Sequence, residues 1–228
     1  MPMTLREKLH TLIDRKHLLT HPFYQAWTAG KLTQEQLRHY AVQYFHNVRA
    51  FPTYVSAVHF NTPDLALRQE LLENLIEEER GDRNHPYLWK QFALSLGATE
   101  AELDNVNPLP QTHNLVDTFR HLCVTSPYYA GLAALYAYES QIPAVANVKV
   151  EGLKEFYGLT DPRSYEFFTV HAGADEIHSE VEMQAIAKHA DTPEAEAEVL
   201  AAADAAATAL WQFLDGIYET YCQELQAA

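Results

Sequence analysis

Residues 161–189 read DPRSYEFFTVHAGADEIHSEVEMQAIAKH. Asp161 followed by Pro162 is a helix-start signal, and the apolar spacing beyond it predicts one helix reaching about His189. Within it His171, Asp175 and His178 stand at i, i+4 and i+7, which 3.6 residues per turn places on a single face. Phe168, Ala174, Val181 and Ala185 lie along the same side, so the stripe is expected to face a core. Two imidazoles and a carboxylate on a buried face either pair among themselves or hold a metal, because an unpaired buried charge is costly. Acid–His pairs also occur at Glu35/His39, Asp82/His85 and Asp117/His121. Such pairs are ordinarily solvated neighbours.

The same period extends outward in both directions. Leu5, Leu9, Leu12 and Ile13 form the apolar face of a first helix, from about Leu5 to Lys16. HPFYQAW is a short second helix ending near Gly30, a natural left-handed position. Thr33 and Gln36 make a capping box opening a long helix through Tyr40, Tyr44, Val48 and Val55, with Pro52 expected to kink it. Thr62-Pro63 is read as the start of the next, which carries Leu67, Leu71, Leu75 and Glu78 and ends at Gly81. Asn84 restarts the chain as helix with Pro86 in its first turn. Residues 97–112 read as a long irregular connection. Ser126-Pro127 opens a long helix interrupted at Pro143, and Thr192-Pro193 opens the last, Ala-rich one. No run alternates in strand fashion and no linker divides the chain. The expectation is all-α: a single domain over residues 1–228 with about seven or more core helices.

Composition narrows the function classes. The chain has 228 residues, with Lys+Arg 16 against Asp+Glu 31 for a formal charge of -15. A surface that acidic repels phosphate backbones, so nucleic acid is not an expected partner. No apolar run approaches the roughly 20 residues that span a bilayer, and the start lacks the apolar stretch of a secretory signal. Cys123 and Cys222 cannot build a disulfide framework or a thiolate zinc site. A cytoplasmic protein with reduced thiols is expected.

Other helices also carry polar groups on apolar stripes. Glu78 continues the line of Leu71 and Leu75, and His85 shares a face with Leu88, Trp89 and Phe92. Glu139 sits in LAALYAYESQIP with no charged neighbour close in sequence, and such a carboxylate is rarely fully buried unless paired or metal-bound. Lys149 falls fourteen residues after Leu135 and seven after Ile142. It either reaches the interior or snorkels at the surface, the commoner behaviour of lysine. Together Glu78, His85, Glu139, His171, Asp175 and His178 offer three carboxylates and three imidazoles, a donor set suited to two divalent transition metals such as iron or manganese. Ferritins place Glu-x-x-His on each of two helices, whereas this chain has only Asp175-x-x-His178. G-x-S-x-G, a Gly-rich phosphate loop and H-E-x-x-H are all missing.

The stretches HPFYQAWTAGKLTQEQL, NLIEEERGDRNHPYLWKQFALSLG, AGLAALYAYESQIP and FFTVHAGADEIHSE together resemble, over nearly the whole chain, one known family. It comprises the Chlamydia protein associating with death domains and its bacterial relatives, within the haem-oxygenase-like helical superfamily. The resemblance implies a seven-helix bundle, a homodimer and a non-haem dinuclear centre held by the same six residues. It implies synthesis of 4-aminobenzoate for folate with dioxygen and an external reductant, the ring coming from Tyr24 and the amino group from Lys149. Tyr40 and Tyr138 match family tyrosines near the centre, where they relay oxidising equivalents or simply pack. The chain ends CQELQAA, and no death-domain partner is inferred.

Three competing readings stand beside this one. A cofactor-free oxidase related to pyrroloquinoline-quinone synthesis proteins would need a polar organic pocket and no buried acids. A thiaminase-like hydrolase would need a cysteine within LAALYAYES, and none is there. A non-catalytic interaction protein would use the same residues as a satisfied polar core.

Overall fold

The computed structural model describes residues 3–226, so the two residues at each end of the expected 1–228 domain, including the final Ala-Ala, lie outside the described residues. The described residues contain no strand. The helices are α1 (Leu5–Asp14), α2 (Pro22–Thr28), α3 (Gln34–Asn61), α4 (Leu65–Glu79), α5 (His85–Ser95) and α6 (Glu100–Asn105), followed by α7 (Pro110–Thr125), α8 (Tyr128–Glu139), α9 (Ile142–Glu155), α10 (Glu166–His189), α11 (Pro193–Tyr221) and α12 (Gln223–Gln226). The all-α expectation holds, with finer segmentation than seven. Gly81, the Ser140–Gln141 step and short one- or two-turn pieces divide what would otherwise be longer rods.

Local chemistry explains the boundaries. Thr33 accepts from the Gln36 amide while the Gln36 side chain accepts from the Thr33 amide, the reciprocal cap read from the sequence. Asn84 accepts from the Tyr87 amide at the start of α5. Pro52 lies inside α3 without ending it.

Three expected boundaries differ. α4 is capped by Asp64, whose carboxylate accepts from the Ala66 and Leu67 amides, while the Thr62 hydroxyl turns back to donate to the Val58 carbonyl. A carboxylate in that position satisfies two free amides at once, which outcompetes the Thr-Pro start. Asp161-Pro162 opens only a 3-10 turn over Pro162–Ser164 before α10 begins. The supposed irregular stretch 97–112 contains α6, held by a Thr99–Glu102 capping box.

α8 is the central rod. Every residue from Ala130 to Glu139 is buried, consistent with a helix apolar on all sides and thinned by alanine. α11 packs on α8 and α7, α10 packs on α8 and α9, and α3 packs on α7, α4 and α5. The C-terminal end of α8 therefore emerges beside the middle of α10 and, through α3, near the end of α4. The polar stripe is built at that crossing.

Candidate metal centre

Four helix segments deliver the six candidate ligands to one buried region. Glu78 occupies the last turn of α4 and His85 the first position of α5, and the chain reverses between them at Gly81. Gly81 has φ +79°, a conformation that favours glycine over any residue with a Cβ. The turn brings His85 Nδ1 to 2.9 Å from Glu78 Oε1. His171 of α10 completes this group, its Nε2 3.9 Å from the same oxygen. The His171 Nδ1–H donates to the Phe167 carbonyl at 2.7 Å, which leaves Nε2 with a free lone pair facing Glu78. The second group joins Glu139, at the end of α8, to Asp175 and His178 of α10, with 3.7 Å between His178 Nδ1 and Asp175 Oδ1. Asn74 of α4 donates to Glu139 Oε1 at 3.3 Å.

All six side chains expected to form the centre thus come together, as two trios: Glu78–His85–His171 and Glu139–Asp175–His178. Within each trio one potential ligand atom per residue lies within 4.8 Å of the others. The side chains are buried apart from His178, which is partly exposed.

Electrostatics make these groups poor company for one another alone. Burial, reinforced by Asp175, pushes the Glu139 carboxyl well above the usual carboxylate range. Burial also raises Asp175. His171 is driven well below its ordinary value by burial and by neighbouring His85. Burial alone would lower His178, but Asp175 and Glu139 override it and lift it to about 9. Glu139 Oε2, Asp175 Oδ2 and His178 Nδ1 are buried with no hydrogen-bond partner. Native interiors rarely leave so many polar atoms unsatisfied in one place. A satisfied polar core, as the interaction-protein reading requires, is not what these residues make. Mixed carboxylate and imidazole donors aimed inward fit divalent transition metals.

The expected organic residues form a second cluster. Lys149 of α9 is 5% exposed, against the surface placement that lysine's habits favoured. Its stem runs into aromatic packing and its Nζ donates to the Tyr40 hydroxyl at 2.7 Å. Tyr40 shares a hydrogen bond of 3.2 Å with the Tyr24 hydroxyl, and Lys149 Nζ stands 5.5 Å from the Tyr24 ring centroid. Tyr44, one turn beyond Tyr40, stacks on it with centroids 5.7 Å apart and 15° between planes. Tyr44 and Tyr138 in turn lie close enough to perturb each other's ionisation. Tyr138 borders a cavity of about 10 Å³ that is also lined by Glu78, His171 and Asp175. A file of phenols therefore connects Tyr24 to the trios.

Sequence reasoning passed over three residues here. In the sequence Tyr44 is one more member of an apolar stripe, and its i+4 spacing from Tyr40 is the signal that pairs the two rings. Asn74 lies next to Leu75, yet it is Asn74 that is fully buried. Glu182 sits one turn past His178 on the same stripe of α10, buried beside Glu139.

The sequence pattern of a family described as iron-containing redox enzymes matches residues 38–211. The chain is 58% identical over 231 residues to the 4-aminobenzoate synthase of Nitrosomonas europaea, covering 97% of this chain and 94% of that protein. It is 42% identical over 217 residues to the 4-aminobenzoate synthase of Chlamydia muridarum, covering 95% and 91%. Among solved structures, a TenA homologue from Pseudomonas syringae superposes with a TM-score of 0.82 at 18% identity, covering 96% of this chain and 97% of that one, a likeness of fold. With the two carboxylate–imidazole trios in its core, the chain belongs to the iron-containing redox enzyme family and is an oxidoreductase.

Proposed function

We propose that this protein makes 4-aminobenzoate from its own side chains, drawing the ring from Tyr24 and the amino group from Lys149. Two divalent metal ions, iron or manganese, would be held by Glu78, His85 and His171 and by Glu139, Asp175 and His178. When bound, such a pair activates dioxygen with electrons from an external reductant.

The observation that carries this reading is the sealed Lys149–Tyr40–Tyr24 cluster next to the trios. The cavity bordering Glu78, His171 and Asp175 is about 10 Å³, room for about one water molecule, whereas pockets for organic substrates are about 300 Å³ or more. A foreign aromatic substrate has no place there, but a phenol is already built in. This tightness also counts against a cofactor-free oxidase acting on an external organic molecule.

The chain's own groups supply the remaining requirements. Burial lowers Lys149 to about 7, so a neutral amine is available near neutral pH as a nucleophile. Tyr40 holds that amine and stands 3.2 Å from the Tyr24 oxygen, so its hydroxyl would relay to the neutral Lys149 amine the proton that an oxidised phenol loses. Tyr44 and Tyr138 extend the file toward the trios, and the aromatic walls of Trp27, Trp89 and Phe168 keep water out.

The test is production of 4-aminobenzoate by metal-loaded protein given dioxygen and reductant, with ring-labelled tyrosine incorporated during expression. Label in the product, lost in Tyr24→Phe, is the expected result. Unlabelled product, or full yield from Tyr24→Phe, overturns the self-derived ring. Rescue of growth in a strain lacking its usual aminobenzoate synthase gives an independent check.

A further inference from the structure

We propose that Glu182 is an additional metal ligand, which takes a divalent cation from an acidic groove between α4 and α10 and holds it against Glu139, Asp175 and His178. This rests on the dimetal reading above.

The placement begins with helix geometry. His171, Asp175, His178 and Glu182 stand at i, i+4, i+7 and i+11 on α10, so Glu182 extends the ligand stripe by one turn. The side chain is not a surface acid folded over the helix. Its residue is 3% exposed, and both carboxylate oxygens are buried without a hydrogen-bond partner. The groups acting on it most strongly after burial itself are Glu139 and Asp175, both acids. His178 offsets Glu139 and Asp175 in part, but the groups that act on Glu182 itself include no cation. Two carboxylates side by side in a dry interior repel each other, and a cation bridging them converts the repulsion into coordination.

A route from solvent reaches the same place. A groove of about 90 Å³ is bordered by Glu70, Glu73, Asn74, Glu77, His178 and Glu182, with leucine, isoleucine and valine side chains between them. Glu70, Glu73 and Glu77 stand at its mouth, and Glu182 lies at its inner end. Glu77 Oε2 is 3.3 Å from His178 Nε2, so the outer edge of the second trio is already in contact with the mouth. Asn74, also bordering the groove, donates one amide hydrogen to Glu139 and leaves its Oδ1 buried without a partner. The inner end thus presents the oxygens of Glu182 and Asn74, beside Glu139. Oxygen donors of this kind select hard or borderline divalent cations such as manganous or ferrous ion and repel anions. The first trio, Glu78–His85–His171, does not border this groove. The effect is therefore expected on one ion of the pair only.

The experiment is a titration of chelator-treated apoprotein with Mn²⁺, following free ion by electron paramagnetic resonance and uptake by rapid mixing, with thermal melting alongside. Wild type is expected to take two ions per chain; failure to do so removes the dimetal reading itself. In Glu182→Gln the first ion is expected to bind with wild-type affinity and the second about 10–100-fold more weakly. The apo form of Glu182→Gln is expected to melt no lower than apo wild type, because an amide relieves the repulsion with Glu139, and to gain less from Mn²⁺. Two ions bound by Glu182→Gln with wild-type affinity and rate would overturn the proposal. A double change at the exposed mouth, Glu70→Gln with Glu73→Gln, leaves every side chain of the second trio and its contacts in place. It is expected to slow uptake of the second ion severalfold at unchanged stoichiometry, and an unchanged rate overturns the groove as the entry route.

Discussion

Lys149 Nζ donates to the Tyr40 hydroxyl across 2.7 Å in a pocket with no carboxylate to hold its charge. An amine so placed is a poor ammonium and a good nucleophile, and burial accounts for a value near 7. Yield of 4-aminobenzoate per chain, measured in rapid single-turnover assays, should therefore rise with pH through about 7 as Lys149 loses its proton. Lys149→Arg, which keeps the charge at every accessible pH, should give no product while retaining metal.

Stability should carry the same signature. Lys149 is lowered from 10.5 to about 7 in the folded state, so between those limits the unfolded chain binds more protons. Folding stability contributed by this residue consequently increases as pH rises from about 7 to 10.5, and the cost is fully present below 7. Comparing wild type with Lys149→Met by denaturant unfolding across that window should show wild type gaining on the variant by up to several kcal/mol. A pH-independent difference would show that the amine is solvated.

The phenol file makes a prediction that separates conduction from packing. Tyr44→Phe preserves the ring stacked on Tyr40 but removes the hydroxyl that faces Tyr138. Product formation should fall about tenfold or more, in the range typical for losing one proton-transfer group. Metal content and melting temperature should stay close to wild type. Full activity would confine Tyr44 to the core.

Removing metal should destabilise the fold as well as abolish activity. The unsatisfied acids and imidazoles of the two trios meet one another directly once no cation lies between them. At a free metal concentration of 100 times Kd, binding contributes about 2.7 kcal/mol per site. Melting of chelated against Mn²⁺-loaded protein measures it, and Glu139→Gln should lose about half of the metal-dependent shift.

Close helix contact supports the organic cluster. A Cβ on Gly152 of α9 would lie 2.7 Å from Trp27 Nε1, and Trp27 packs against both Tyr24 and Tyr40. Gly152→Ala should cost about 1–3 kcal/mol by overpacking and lower product yield by shifting Tyr24 relative to Lys149. Thermal melting together with product yield tests both halves.

Much of this was legible in the sequence because helical period and caps are local. Thr33 with Gln36, Asn84 with Pro86, and Thr192 with Pro193 announce their helices, and the His171–Asp175–His178 stripe needs only 3.6 residues per turn. Grouping the six residues into two trios was not legible, since it depends on where α8 crosses α10. Lys149 illustrates the same boundary. Nothing nearby in sequence shows that Tyr24, Tyr40 and Phe168 from three other helices would enclose its amine. Asp64 displaced Thr62 as a cap through a competition between two good capping residues that spacing alone does not decide. Glu182 was visible by spacing but looked like one more acid on a helix rich in them.

Tyr24 is 2% exposed, wedged among Phe23, Trp27 and Tyr40. A chain that surrendered this ring would be left with a hole comparable to an aromatic-to-alanine truncation, about 3–5 kcal/mol, against a total stability of about 5–15 kcal/mol for a typical domain. Firing once would thus loosen the molecule that fired. The spent polypeptide would unfold more readily and become easier prey for proteases, so that the cell's clearance machinery could tell used copies from fresh ones without any separate tag.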